Sequence, residues 1–205
     1  MSAATARAYR VHDLLRIDPC VAARWHGAPA WVAPALRRAP WVVVRRQLAT
    51  RAIAIGVRGR ARAERYAAEL LCANVWDARV PEDLIACAGR DDALGKAFGA
   101  CSGAARACGL SIAPIGAYGF EVASGTLATH ADSDLDLLVR LYAIAFDPLQ
   151  AFDAACRDIT RALGITVDVE LAYGDCGFAL AEVVARRSSI IAKTPQGPRL
   201  VACPA

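Results

Sequence analysis

The sequence predicts an α+β protein in two parts: a small β-rich N-terminal domain over residues 1–82 and a mixed-sheet domain over residues 83–205. Three observations carry this reading. Residues 41–45 and 51–59 have the apolar or alternating pattern of strands. At Val80-Pro81-Glu82-Asp83 the pattern changes, because Pro at a first helical position with acids in the first turn starts a helix. Strand and helix patterns then intermix as far as the C-terminus.

Taken in order, residues 1–40 are rich in Pro and Trp and read as irregular chain feeding the strand at 41–45. In the second strand Ala52, Ala54 and Gly56 alternate with Ile53, Ile55 and Val57. The stretch 60–73 reads as a helix, since good helix formers dominate and Glu64, Ala68 and Leu71 fall at i, i+4, i+7. In the second domain the expected elements are a helix at 91–108, a strand at 111–115, a Gly turn with a short helix, and a strand at 135–140. A helix at 149–163, a strand at 165–171, a helix near 178–186 and strands at 190–193 and 199–202 complete it.

Composition excludes several classes of function. A formal charge of +4 with pI near 8.7 falls short of a duplex nucleic-acid footprint and suits a phosphorylated small molecule or an acidic protein partner. No apolar run approaches a membrane span and no signal-peptide pattern opens the chain, so a cytoplasmic protein is expected, without membrane or nucleic-acid partners. The eight cysteines form no C-x-x-C pair and read as buried, reduced thiols, and the three histidines share no zinc spacing with them.

The chemistry concentrates in GAYGFEVASGTLATHADSDLDLLVR, residues 116–140, where Asp132, Asp134 and Asp136 precede an apolar run. A calcium loop fails, because its sixth and twelfth positions would be Leu137 and Ala143. As a strand, the segment puts Asp134 and Asp136 on one side, about 6.5 to 7 Å apart along the chain, with Leu135, Leu137 and Val139 on the other, buried side. Carboxylates so placed can share one or two divalent ions, whose charge removes their repulsion. Upstream, Gly116 ends a strand and starts a helix, leaving backbone N–H groups to receive phosphate. Downstream, Asp168 and Glu170 alternate in the same way in TVDVEL.

Other candidates are weaker. His130 and Asp132 read as loop residues, and His12 with Asp13 as interface packing residues that can also form a general-base pair. Lys193 can meet a phosphate as a point charge, and Arg58 and Arg60 in GVRGR can grip phosphates. Gly116 and Gly119 lack the preceding G-x-G of a dinucleotide fingerprint, and ASGT does not complete a nucleophile elbow.

Gly-x followed by D-x-D and a later strand acid resembles the polymerase-beta-like nucleotidyltransferase superfamily. The strings HADSDLDLL, HDLL, PAWV, VVVRR, GVRGR and AKTPQGPRLV, over nearly the whole chain, resemble the phosphoribosyl-dephospho-CoA transferase of malonate decarboxylase, its holo-acyl-carrier-protein synthase. The resemblance implies a nucleotidyltransferase-like catalytic domain that moves the prosthetic group from triphosphoribosyl-dephospho-CoA to a serine of the apo acyl carrier protein subunit, releasing diphosphate. It implies Mg²⁺ (or Mn²⁺) on Asp134 and Asp136, a third acid at Asp168 or Glu170, and a phosphate turn at Gly116 and Ala117. It makes residues 1–82 an accessory domain for the carrier protein or the CoA portion. Two positions depart from the family pattern: Ala117 replaces the usual Ser, which removes one hydroxyl donor to phosphate, and Phe120 replaces a Trp. A nucleotidyltransferase using an ordinary nucleoside triphosphate, and a nucleotide-binding protein without turnover, are the alternatives.

Overall fold

A computed structural model describes residues 9–47 and 52–204. The chain divides into two compact units, residues 1–45 with 49–79 and residues 46–48 with 80–205.

The first unit is a five-stranded antiparallel sheet in the order β4-β3-β2-β1-β5, formed by β1 (Leu14–Ile17), β2 (Trp41–Val44), β3 (Ile53–Arg58), β4 (Arg65–Leu70) and β5 (Val75–Arg79). Helix α1 (Val32–Arg38) lies between β1 and β2 in sequence and contributes Val32 and Leu36 to a core with Leu15, Ile17, Val42, Ile55 and Val57.

Two expectations fail in this unit. Residues 1–40 are not irregular throughout, because β1 and α1 form there; each is short, and the surrounding prolines hide its period. The expected helix at 60–73 is a hairpin arm. β4 pairs with all six residues of β3, and its burial alternates strictly, with Tyr66, Ala68 and Leu70 turned inward. Local helix propensity, mostly from alanine, lost to a ladder that only the fold supplies. Glu64 closes the connecting loop, accepting from the Ala61 amide at 3.0 Å. Arg51, at the expected start of the second strand, lies outside the described residues.

The second unit opens on a 3₁₀ turn, Pro81–Cys87, then α2 (Ala93–Ala107), β6 (Ala113–Pro114), α3 (Gly116–Ser124), β7 (Leu135–Leu141) and α4 (Phe146–Leu163). β8 (Val167–Tyr173), β9 (Cys176–Ala179), α5 (Leu180–Val184), β10 (Ser189–Thr194) and β11 (Gly197–Ala202) follow. The six strands run β11-β10-β9-β8-β7-β6, with β7 and β8 parallel and every other pair antiparallel. A parallel pair needs a crossover, which α4 supplies. The helix expected at 178–186 is instead β9 followed by the five-residue α5: Gly177, Phe178 and Ala179 extend a hairpin from Tyr173 before the chain turns.

One side of this sheet is the core. Leu135, Leu137, Val139, Val169 and Leu171 pack with Phe98 and Cys101 of α2 and with Leu149, Phe152 and Cys156 of α4. Asp92 caps α2 by accepting from the Gly95 amide at 2.7 Å, and Gly125 and Gly164 end α3 and α4 in the left-handed conformation. All eight cysteines are free, but of the eight only Cys101 and Cys156 are buried; Cys108, Cys176 and Cys203 are half-buried, and Cys20, Cys72 and Cys87 are exposed, each in or at the end of a short 3₁₀ turn. No helix among the described residues is long and apolar enough to cross a membrane.

Leu137 is fully enclosed between the helices and the sheet. Leu137→Ala should therefore lower stability by roughly 2 to 5 kcal/mol, read as a shift of the urea midpoint.

Candidate functional site

The parallel pairing of β7 and β8 is in register, so that Asp136 lies opposite Asp168, and Leu138 opposite Glu170. In-register neighbours share a face, which puts Asp136, Asp168 and Glu170 on the side opposite the helix-covered core. Asp134 immediately precedes β7 and is half-buried, as is Asp136, while Asp168 is exposed.

α3 begins at this point. Gly116 has φ +63°, and a Cβ added to it would fall 1.8 Å from the Asp136 Oδ2. Both conditions require glycine: the backbone is left-handed, and the space a side chain would take is filled by the carboxylate. Ile115, the residue before the helix, receives no side-chain cap, and its amide donates to the Asp136 carbonyl at 3.0 Å. The first turn of α3, with Gly116 exposed and Ala117 half-buried, thus abuts the Asp136 carboxylate. A helix start whose N-cap residue supplies no side-chain acceptor is suited to an anion.

The loop that carries the acids is held by Glu121, a buried carboxylate on α3 that residue-pattern reasoning missed. Its Oε2 accepts from the amides of Ala128 and Thr129, each at 3.0 Å, and from the Thr129 hydroxyl at 2.8 Å. Its Oε1 accepts from Arg90 at 2.7 Å. Burial alone would push this carboxyl up, but the bonds from Ala128, Thr129 and Arg90 outweigh it and lower the pKa from 4.5 to about 2. The available signal was a single acid between Phe120 and Val122 in an apolar helix, a placement that demands partners. Beside it, burial pushes the Tyr118 phenol up to about 12, and its hydroxyl donates to the Ala88 carbonyl. His130 and Asp132 are exposed in the tethered loop, where the His130 amide donates to the Ser133 hydroxyl at 2.8 Å.

Glu170 stands apart from the aspartates. It is buried, its Oε1 2.8 Å from Arg46 and its Oε2 2.7 Å from Lys193. Lys193 therefore meets a carboxylate of its own chain. Arg46 was not anticipated, and nothing local marks it, since its partner is 124 residues away. Arg58 and Arg60 belong to the first unit, at the end of β3 and in the turn after it. His12 and Asp13 also lie in that unit; Asp13 is buried and accepts from the Arg10 amide at 2.9 Å.

Carboxylate oxygens at a glycine-lined helix start are the donor chemistry of a hard divalent cation. Among the described residues, no three His, Cys, Asp or Glu side chains are gathered closely enough to hold an ion as they stand. The register brings the pair Asp136 and Asp168 together, with Asp134 just before the start of β7.

Comparison with known proteins matches both units. Residues 83–204 match the family described as phosphoribosyl-dephospho-CoA transferase MdcG C-terminal domain, and residues 10–81 its N-terminal domain. The chain is similar to proteins named phosphoribosyl-dephospho-CoA transferase from three bacteria. It is 35% identical to that of Pseudomonas syringae pv. tomato and 36% to that of Pseudomonas aeruginosa, in each case over 94% of this chain and 92% of the relative. It is 33% identical to that of Klebsiella pneumoniae over 95% of both. No solved structure matches significantly.

The low pKa of Glu121 fixes the sign of a pH dependence. Its stabilisation is complete above 4.5 and is lost as pH falls from 4.5 towards 2, an effect on the order of 3 kcal/mol. Denaturant midpoints measured across that window should fall steeply for the parent protein and less for Glu121→Gln, which starts less stable.

Proposed function

The chain belongs to the phosphoribosyl-dephospho-CoA transferase family, and we propose that it transfers the phosphoribosyl-dephospho-CoA group from triphosphoribosyl-dephospho-CoA to a serine of the apo acyl carrier protein subunit of malonate decarboxylase. It is a transferase; the donor, the acceptor and the nucleotidyltransferase character of residues 83–205 are the proposal. The observation that supports the reading best is the register of Asp136 against Asp168 beside the Gly116 helix start.

In this reading Asp136 and Asp168, together with Asp134, are the residues that would hold Mg²⁺ or Mn²⁺. When bound, such an ion neutralises charge on the donor triphosphate and on the departing diphosphate. The N–H groups of Gly116 and Ala117 receive a phosphate oxygen, and they do so without the hydroxyl that Ser would add at 117. Asp168, exposed beside Asp136, is also the carboxylate assigned to the proton of the acceptor serine, a role generally worth about 10² to 10⁴ in rate. The serine oxygen forms the new bond to the phosphorus nearest the ribose, and the bond from that phosphorus to diphosphate breaks. Residues 1–82 are assigned to holding the carrier protein or the CoA portion, with Arg58 and Arg60 on phosphates.

Incubating the enzyme with apo carrier protein, Mg²⁺ and the triphosphate donor should add the mass of the prosthetic group to the carrier. An unchanged carrier mass, or an equal gain from ordinary nucleoside triphosphates, would reject this donor. Asp134→Asn, Asp136→Asn and Asp168→Asn should each cut single-turnover transfer by at least a hundredfold while leaving the circular dichroism spectrum and unfolding midpoint near the parent's. Near-parental turnover in any of them at saturating Mg²⁺ removes that residue from the site.

A further inference from the structure

Glu170, two residues along β8 from Asp168, has the alternation of a metal ligand and the surroundings of something else. Each of its oxygens is engaged by a cation, Oε1 by Arg46 at 2.8 Å and Oε2 by Lys193 at 2.7 Å. A divalent ion brought to such a carboxylate is repelled by both partners, so this acid suits a different task from that of Asp136 and Asp168.

The rest of the sheet accommodates the arrangement. Gly177 lies opposite Ala172 of β8 on one side and Lys193 of β10 on the other. A Cβ on it would fall 2.5 Å from Glu170 Oε1 and 2.6 Å from Arg46 Nη2, so the missing side chain is the space in which the ion pair sits. Arg46 is tied down further by its Nη1, which donates to the Asp175 carbonyl at 2.6 Å. The register places Lys193, Glu170, Asp168 and Asp136 on one face of the sheet, the face turned away from the core helices. Arg46 and Lys193 set two cations against the one carboxylate of Glu170, while Asp168 and Asp136 lie further along the same face. Arg46 is only 13% exposed, whereas Lys193 is 58% exposed. An ammonium has three N–H donors, so the bond to Glu170 leaves others for a ligand.

We propose that Glu170 is a positioning residue that fixes Lys193, and that Lys193 binds the terminal phosphates of the donor, the part that departs as diphosphate. This rests on the reading above for the donor's identity; the anion-binding role rests on the exposed ammonium of Lys193 held by Glu170. As the bond from phosphorus to the leaving oxygen breaks, negative charge grows on the diphosphate, where a held ammonium is worth more than a mobile one.

The test is calorimetric titration with inorganic triphosphate, without added divalent metal, so that the protein's cations are read apart from the carboxylate pair. The parent should bind, Lys193→Met and Glu170→Gln should each weaken binding about tenfold, and Lys193→Arg should keep most of it. The double variant should bind no more weakly than Lys193→Met alone, because Glu170 acts through Lys193. Asp168→Asn should bind at least as well as the parent. In transfer assays Glu170→Gln should raise KM for the donor and leave the Mg²⁺ concentration for half-maximal rate unchanged, whereas Asp168→Asn should raise it. Absence of binding by the parent, undiminished binding by Lys193→Met, or a raised Mg²⁺ requirement in Glu170→Gln would overturn the proposal. A parent that binds triphosphate in this Lys193-dependent way yet fails to modify the carrier would instead reject the donor and acceptor while leaving this inference intact.

Discussion

Seven consecutive residue pairs join β7 to β8 in parallel, and the site depends on that ladder. A shift of one residue would carry Asp168 to the buried side and bring Val167 or Val169 opposite Asp136. The register is held from the other face, where Leu135, Leu137 and Val139 stand beside Val169 and Leu171 under α2 and α4. Burying a charge there without a partner would be far more costly than leaving it in water, so the core decides which side the acids occupy. Position and stability come from the same alternation.

Two buried glutamates show how surroundings sort acids of one type. Glu121 collects hydrogen bonds from Ala128, Thr129 and Arg90, and so ties the loop before β7 to α3. Its charge is spent on backbone amides and one guanidinium, which leaves it a structural fastener. Glu170 collects two cations instead, Arg46 and Lys193. The aspartates differ from both: Asp168 is exposed, and Asp136 rests against a glycine that has no side chain to exclude it. Short acids near solvent suit a ligand that comes and goes, while enclosed acids suit permanent partners.

Glycine marks two of these close approaches. At Gly116 it permits a left-handed backbone and admits the Asp136 carboxylate to the first turn of α3; at Gly177 it admits the Glu170–Arg46 pair to the surface of β9. Each vacancy in the sequence is filled by a charged group from elsewhere in the chain.

The alternation of Asp134, Asp136, Asp168 and Glu170 was legible in the sequence, because strand period and apolar faces are local properties of consecutive residues. So were the long helices α2 and α4, whose length lets their period rise above noise. The segment around Tyr66 was not: its helical composition is local, whereas its pairing with β3 is a tertiary fact, and the ladder prevails. Alternation alone could not rank Asp168 against Glu170, which share a face and differ by one methylene; only the shorter side chain favoured Asp168 as the inner ligand. The folded chain gives the two acids different surroundings, by bringing Arg46 and Lys193 to Glu170 from 124 and 23 residues away and Asp136 alongside Asp168. Residue type and spacing determine what a side chain can do, but the charges that select among those roles arrive through space, from positions whose separation in the chain carries no trace of their contact.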